Sequence, residues 1–173
     1  MKAVVVIVGT CHKYQAGGKD CANEDAELFR NFLLNACLEW SISGISEEMN
    51  NEWLDHYESI QSVPSQVATE LELFHHYCDP NSSERVRAGI IGRGEVLLEA
   101  DLNRLSEDET ANRYADEEIK RERYWLRELK EKGVFPTLFV CGANHVMRFK
   151  SLLDSNGLTA HVLVEDWAPN PFR

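Results

Sequence analysis

The feature of this sequence that most constrains its fold is a pair of apolar runs, one near each end of the chain. Residues 3–9 read AVVVIVG, and residues 138–141 read LFVC inside a longer apolar stretch over 134–141. A strand that is covered on both faces has a continuous apolar sequence rather than an alternating one, and such strands are typical of parallel sheets. We therefore expect both runs to be central strands.

Helical and strand patterns alternate between these runs. Apolar spacing predicts an amphipathic helix over 26–40, and the charged stretch 107–132, which ends at Gly133, predicts a helix with a solvated charged face. The other predicted elements are strands at 41–46, 73–78 and 159–164, and helices at Trp53, from Pro64 and over 146–155. The alternation predicts one α/β domain over 1–173, with a central, mostly parallel sheet of about five strands flanked by helices.

Composition narrows the class of protein and of partner. The 173 residues include 18 basic and 29 acidic side chains, and the net charge of −11 would repel a nucleic acid backbone. No apolar run approaches the ~20 residues of a membrane helix, and residues 1–10 lack a signal-peptide cleavage site. The five cysteines form no C-x-x-C pair, which favours reduced thiols. We expect a cytoplasmic protein without a membrane partner, and its oligomeric state is left open.

Polar side chains follow all five predicted strands. These groups are His12, Glu47-Glu48, Cys78-Asp79, Asn144-His145 and Glu165-Asp166. Parallel strands end at one edge of a sheet, where ligands bind. The first and fourth strands share the pattern Gly-x-x-His, at Gly9 and Gly142, so both imidazoles are expected at this edge beside glycines that permit a close approach to a ligand.

Two kinds of chemistry fit these residues. His12, His145 and a glutamate suit a divalent metal such as zinc, manganese or cobalt with an open coordination position. Without a metal, a histidine poised near neutral pH would act with a glutamate whose pKa is raised by its neighbour's charge. Adjacent residues face different ways, so we expect one glutamate to enter the site and choose Glu48 over Glu47. The predicted substrate-binding residues are Gly9, Asp79, Gly142 and Asn144.

The same features also have ordinary structural explanations. Turns, helix caps and hydrogen-bonded core histidines account for most Gly-x-x-His patterns, and paired glutamates are favoured at a helix start by the helix dipole. His75 and His76 alternate faces on a strand, so at most one would reach the site and a structural role is preferred. Trp40, Trp53 and Trp125 are interpreted as core residues.

Four short motifs occur in order along nearly the whole chain. They are VGTCH at 8–12, ISEEMNNEWL at 45–54, RERYWLREL at 121–129 and CGANHVMRFKSLLDSNG at 141–157. Together they resemble the superfamily that includes TraB-type proteins, Tiki proteases, ChaN-like proteins and erythromycin esterases, and they are most similar to its small, uncharacterised bacterial members.

The resemblance implies a catalytic cleft formed by His12, Glu47, Glu48, Arg121 and His145. Arg121 would bind a substrate carboxylate or phosphate, stabilise an oxyanion or hold a glutamate through a bidentate bond. The named relatives differ in activity: Tiki proteins are metal-dependent proteases, erythromycin esterases open a lactone with a histidine-activated water, and ChaN-like proteins bind haem. The chain lacks room for the additional helical region of the esterases, so a macrolide-sized ligand is not expected.

Three functions are consistent with these observations. The first is a hydrolase of a small ester, amide, peptide or phosphorylated substrate, in which His12 and a glutamate activate water directly or through a metal. The second is a non-catalytic sensor that binds a metal, haem or nucleotide at the same edge. The third is a host-defence or toxin-related component whose acidic helix, roughly 107–132, docks a partner protein.

Overall fold

A five-stranded parallel sheet forms the centre of the protein. The structure, a computed structural model, describes residues 3–169, so the outermost residues of the predicted domain lie outside the described range. The strands are β1 (Val4–Thr10), β2 (Gly44–Glu47), β3 (Phe74–Tyr77), β4 (Thr137–Gly142) and β5 (Thr159–Trp167). Their order across the sheet is β3-β2-β4-β1-β5, and every neighbouring pair is parallel. The predicted α/β class is therefore confirmed.

Helices connect the strands within the described residues. They are α1 (His12–Ala16), α2 (Asn23–Glu39), α3 (Asn51–His56), α4 (Val63–Glu70), α5 (Ser82–Ala88), α6 (Arg93–Asn103), α7 (Glu107–Lys132) and α8 (Val146–Ser155), and a 3-10 turn (Ala143–His145) precedes α8. None of the helices in residues 3–169 combines the length and apolar character needed to cross a membrane. The helices α1, α5 and α6 were not predicted from the sequence. The first is very short, and α5 buries no residue and so has no apolar face to detect.

Side chains of the central strands enter two separate apolar cores. Val5 and Ile7 of β1 pack towards α7 and α8, whereas Val6 and Val8 pack towards α2 and α4. The largest partners on the first face are Trp125, Leu129, Phe139, Phe149 and Leu153, and those on the second are Phe29, Leu33, Ile45, Val67 and Leu138. Because both faces are covered, β1 and β4 have no solvent-facing positions, which explains their continuous apolar sequences.

The charged helix α7 begins at a capping box and buries several charged side chains. The Ser106 hydroxyl accepts the Glu109 N–H, and the Glu109 carboxylate accepts the Ser106 N–H. The buried residues of this helix are Glu117, Glu118, Glu122, Trp125, Leu126, Glu128 and Leu129. The predicted solvated face is therefore wrong for four glutamates. Each is buried beside an arginine, lysine or histidine that compensates its charge.

Candidate active site

The two Gly-x-x-His turns lie side by side. β1 and β4 are neighbours, and Thr10 pairs with Gly142 at their carboxyl ends. The chain leaves β1 into α1, whose first residue is His12, and leaves β4 into the 3-10 turn that ends at His145. A Cβ atom on Gly142 would lie 3.2 Å from His12 Cε1 and 3.5 Å from His145 Cδ2. The two imidazoles thus flank a glycine at which even a Cβ atom would contact His12 tightly.

Glu48 is the buried carboxylate on which both histidines converge. It directly follows β2, and its N–H still donates to the Val140 carbonyl at 2.8 Å, so it continues the ladder of that strand. Its Oε1 lies 3.3 Å from His12 Nε2 and 3.5 Å from His145 Nε2. The backbone N–H of Gly142 donates to Oε2 at 2.8 Å. The position of this carboxylate is therefore set by the ends of β2 and β4.

Arg121 holds Glu48 from the side of α7. Its Nη2 donates to Glu48 Oε1 and to Asp79 Oδ1, both at 2.8 Å, and its Nε donates to the same Asp79 oxygen at 3.1 Å. The indole N–H of Trp125 also donates to that oxygen, at 3.0 Å. Burial alone would lower the pKa of Arg121, but the charges of Asp79 and Glu48 raise it above its ordinary value. Arg121 is a fixed cation whose contacts position Glu48.

His145 lies between two carboxylates of α7. Its Nδ1 is 2.8 Å from Glu122 Oε1, and its Nε2 is 2.9 Å from Glu118 Oε2. Burial lowers the pKa of the ring, but the charge of Glu48 and the contacts with Glu118 and Glu122 outweigh it and raise the pKa to about 9. His145 is therefore a cation at neutral pH, and it is not the poised base that the sequence predicts.

The ionisation of Glu48 also differs from expectation. Burial raises the pKa of its carboxyl, but the charges of His12, Arg121 and His145 outweigh this and hold the pKa well below its usual range. The rise predicted from a neighbouring carboxylate does not occur at Glu48, because cations surround it and the adjacent glutamate points elsewhere. Glu48 is thus a permanent anion suited to orienting His12, and it is a poor proton acceptor.

Glu47 faces the opposite side of the sheet, because consecutive strand residues alternate. Its Oε2 accepts the Gln15 side-chain N–H at 2.7 Å, and its Oε1 lies 2.7 Å from His75 Nε2 and accepts the Ser62 hydroxyl. The assignment of Glu47 to the cleft is therefore corrected. Gln15 belongs to the same short helix as His12, so Glu47 helps to anchor that helix from behind.

The predicted substrate-binding residues divide into two groups. Gly142 and Asn144 line a cavity of about 760 Å³ at this edge of the sheet. Asp79 is buried behind that wall and is engaged by the arginine of α7. A Cβ atom on Gly9 would lie 1.9 Å from the Glu165 carbonyl oxygen. Gly9 therefore allows β1 and β5 to pack closely, and neither Gly9 nor Asp79 lies on the cavity wall.

His12 faces the cavity more openly than His145 and Glu48 do. Its side chain is 32% exposed, compared with 6% for His145 and 1% for Glu48. Its ring is parallel to that of Trp53, with centroids 5.9 Å apart. Trp53, which the sequence suggested as a core residue, lines the cavity. This tryptophan therefore limits the orientations open to His12.

Three charged residues that complete the cluster were not predicted. Glu118 and Glu122 flank His145, and Arg148 donates through Nε to both oxygens of Glu122 at 2.8 Å. A signal was present, since Glu118, Glu122 and Trp125 lie at helical spacing on one face of α7. This spacing indicates site residues only when that face of α7 is known to lie beside the carboxyl ends of the strands.

The contacts around the predicted metal ligands do not suit a divalent cation. Oε1 of Glu48 accepts a hydrogen bond from Arg121, and both nitrogens of His145 face carboxylates, so His12 is the least committed donor. Among residues 3–169, no group of three or more His, Cys, Asp or Glu side chains is arranged to hold a metal ion. The site of zinc, manganese or cobalt at His12, Glu48 and His145 stays a prediction from the sequence, and no catalytic step is assigned to a metal.

The charge on His145 predicts that the fold loses stability as pH rises. The pKa of His145 is about 9 in the folded chain against an ordinary 6.5, so its contribution is complete below pH 6.5 and is lost as pH rises through 9. Between about pH 6 and pH 8, this loss amounts to about 2 kcal/mol of unfolding free energy. Urea unfolding at both pH values measures it.

The control for this experiment is a pair of histidine variants. His145→Gln should flatten the dependence of unfolding free energy on pH, because the titrating group is gone. His161→Gln, at an exposed position on β5, should leave the dependence as it is in the parent. An equal slope for the parent and His145→Gln would contradict the assignment.

Comparison with known proteins adds no assignment to this site. The chain matches no protein-family model, no curated protein and no solved structure. The similarity to the superfamily of TraB-type, Tiki and ChaN-like proteins therefore rests on the four short motifs alone and stays a hypothesis.

Proposed function

We propose that this protein is a hydrolase in which His12 activates a water molecule in the cavity. The observation that carries the proposal is a partly exposed imidazole held by a buried carboxylate, with His12 Nε2 3.3 Å from Glu48 Oε1. Glu48 is itself fixed by Arg121 and by the Gly142 N–H. An imidazole that a carboxylate orients through one nitrogen can accept a proton through the other.

The proposed step uses the two nitrogens of His12 differently. With Nε2 directed at Glu48, Nδ1 accepts a proton from water. The water oxygen then bonds to the acyl carbon or phosphorus of the substrate, the bond to the leaving group breaks, and the proton passes from His12 to that group. Burial lowers the pKa of His12, but Glu48 outweighs this and raises it, so the residue is a stronger base than a free histidine.

The surroundings favour a small substrate. The cavity of about 760 Å³ lies within the range of roughly 300–1,000 Å³ that is usual for metabolite-sized ligands. His145 lines the cavity, but both of its ring nitrogens face carboxylates, so its proposed role is to hold Glu118 and Glu122 rather than to contact the substrate. The substrate classes that we propose are small esters, amides and phosphorylated compounds.

A second candidate is a sensor that binds a nucleotide in the same cavity without turnover. Two features favour it: the flat ring of Trp53 lines the wall, and several arginines line the same cavity. An aromatic face and guanidinium groups suit a base and a phosphate, respectively. Such a module would use His12 as a contact rather than as a base.

A reducing, cytoplasmic location is also part of the proposal. All five cysteines are free, and Cys37, Cys78 and Cys141 are buried as small apolar side chains. Burial raises the pKa of the Cys37 thiol to about 12, so this thiol stays protonated and unreactive. Labelling of thiols in freshly lysed cells would test whether they are reduced.

Turnover by the purified protein tests the hydrolase. Panels of small esters, amides and phosphoesters are incubated in water enriched in heavy oxygen, and the products are analysed by mass spectrometry. Label in one product, at a rate proportional to protein concentration, would support hydrolysis and identify the bond that breaks. Nucleotide binding with no turnover on any panel would instead support the sensor.

A further inference from the structure

The cavity has a set of arginines that the proposed chemistry at His12 does not use. Besides the arginine of α7 that holds Glu48, the cavity is lined by Arg85, Arg93 and Arg148. These three come from α5, α6 and α8, so they reach the cavity from separate elements. Their convergence contrasts with the net charge of −11 on the whole chain. Several guanidinium groups at one cavity of an acidic protein favour an anionic ligand at this place.

Each of these arginines keeps hydrogen-bond donors that the protein does not use. Arg93 is exposed beside the Tyr114 ring, 5.8 Å from its centroid, and no carboxylate of residues 3–169 pairs with it. Arg85 donates through Nε to the Pro80 carbonyl at 3.0 Å and through Nη2 to Asp79 at 2.7 Å. Its Nη1 has no hydrogen-bond partner within the described part of the chain.

Arg148 likewise has some N–H donors bonded within the protein and others unused. Its Nε is bonded to both oxygens of Glu122, and its Nη2 contacts Glu122 and His145. Its Nη1 is without a partner among the residues that the structure describes, and 39% of the side chain is exposed. The internal contacts thus fix Arg85 and Arg148 in place while leaving one amino group of each for a ligand.

The carboxylates at the cavity do not cancel these charges. Glu48 and Glu118 are engaged by Arg121 and His145, so their charges are compensated locally. The remaining carboxylate of the lining, Asp166, is exposed, where solvent and salt screen it. Arg93 therefore supplies a positive charge that no carboxylate of residues 3–169 compensates, while Arg85 and Arg148, which pair with Asp79 and Glu122, supply unused N–H donors.

We propose that Arg85, Arg93 and Arg148 bind a phosphoryl group, and that the substrate is a phosphorylated small molecule. This inference rests on the proposed hydrolase, whose substrate class it narrows. A phosphoryl group offers three acceptor oxygens and close to two negative charges, which match guanidinium groups arriving from three elements. A carboxylate offers only two oxygens in one plane and would leave one arginine without a partner.

Calorimetric titration of the full chain tests this inference without any need for turnover. The probes are inorganic phosphate and phenyl phosphate, with acetate as the carboxylate comparison. Arg93→Met should weaken phosphate binding by about tenfold or more, because one charge-assisted contact is lost, and should leave the urea midpoint unchanged since Arg93 is exposed. The control is Arg87→Met, an exposed arginine of α5 outside the cavity, which should bind phosphate as the parent does.

The outcomes separate this inference from the hydrolase itself. Equal phosphate affinity for the parent and Arg93→Met, acetate binding as tight as phosphate, or no phosphate binding up to about 10 mM would each overturn the phosphoryl site. Phosphate binding that depends on Arg93, together with an absence of turnover, would keep the site and remove the hydrolase. Hydrolysis of neutral esters without phosphate binding would keep the hydrolase and remove the phosphoryl site.

Discussion

Replacing His12 by Ala should lower kcat/KM by about 10²- to 10⁴-fold and leave the chain folded. The variant removes the group that we propose as the acceptor of the proton from water. The buried carboxylate of Glu48 keeps hydrogen-bond partners in the variant, because Arg121 and the Gly142 N–H still donate to it. The stability cost should be about 1 kcal/mol, from the loss of a partly exposed ring beside Trp53. Initial rates on the best substrate of the panel and urea unfolding measure the two effects separately.

The matched control for this variant is His56→Ala. His56 is an exposed histidine of α3 whose ring meets the same Trp53 edge-on, at 5.6 Å between centroids, but it does not line the cavity beside Glu48. Its loss should change kcat/KM by no more than about twofold, since no reacting group is removed. A His12→Ala protein that is folded and retains more than about a tenth of the parent rate would remove His12 from the role of base. It would also raise the question of a contaminating hydrolase.

The sequence predicts the sheet and its candidate functional edge because both have local signals. A strand that is buried on two faces must be apolar throughout, so β1 and β4 can be recognised without any knowledge of their neighbours. Because β1 and β4 are parallel, the histidines that follow them must lie at the same edge. His12 and His145 could therefore be placed near each other from the sequence alone.

The choice between Glu47 and Glu48 cannot be made from local sequence signals. Strand alternation requires that the two carboxylates point to opposite faces, but it does not say which face leads to the cavity. That depends on which helices cover each face. Ile45 has the same orientation as Glu47 and packs in the core beneath α2 and α4, whereas Glu48 meets Arg121 of α7. The answer therefore comes from tertiary packing.

The glutamates of α7 were misjudged for a related reason. A charged residue on a helix is expected to be solvated, and although some partners of these glutamates lie on α7 itself, others lie far away in the sequence. Glu122, for example, meets His145 and Arg148, which come from the turn and helix after β4. Charge patterns within one helix carry no information about such contacts. The result is a buried ionic cluster that looks like a solvated face in the sequence.

Replacing Arg121 by Met should destabilise the fold by about 3 kcal/mol. The methionine keeps much of the side-chain volume but leaves two buried carboxylates without their shared cation, since Glu48 and Asp79 are 1% and 4% exposed. The cost stays at the lower end of the range for a broken buried ion pair, because Asp79 keeps its bond from Arg85 and Glu48 keeps His12 and His145 nearby. Urea unfolding at neutral pH measures the loss.

Arg127→Met is the matched control on the same helix. The Arg127 side chain is 53% exposed, and its nearest carboxylate contact, to Glu128, is 3.6 Å long. Surface pairs of this kind contribute little, so the same substitution should cost less than about 1 kcal/mol here. Similar losses for the two variants would show that Arg121 does not hold the buried cluster together.

The pH dependence of the Arg121→Met deficit separates lost charge compensation from lost packing. Without the guanidinium, the pKa of Glu48 should lie closer to its ordinary value, because burial then acts with less opposition. A carboxyl whose pKa is lower in the folded chain than in the unfolded chain stabilises the fold above the unfolded value, and this contribution is lost as pH falls. The deficit relative to the parent should therefore be full at neutral pH and shrink as pH falls below the ordinary value of 4.5. A deficit that does not change with pH would mean that packing around Arg121, rather than its charge, stabilises this edge of the sheet.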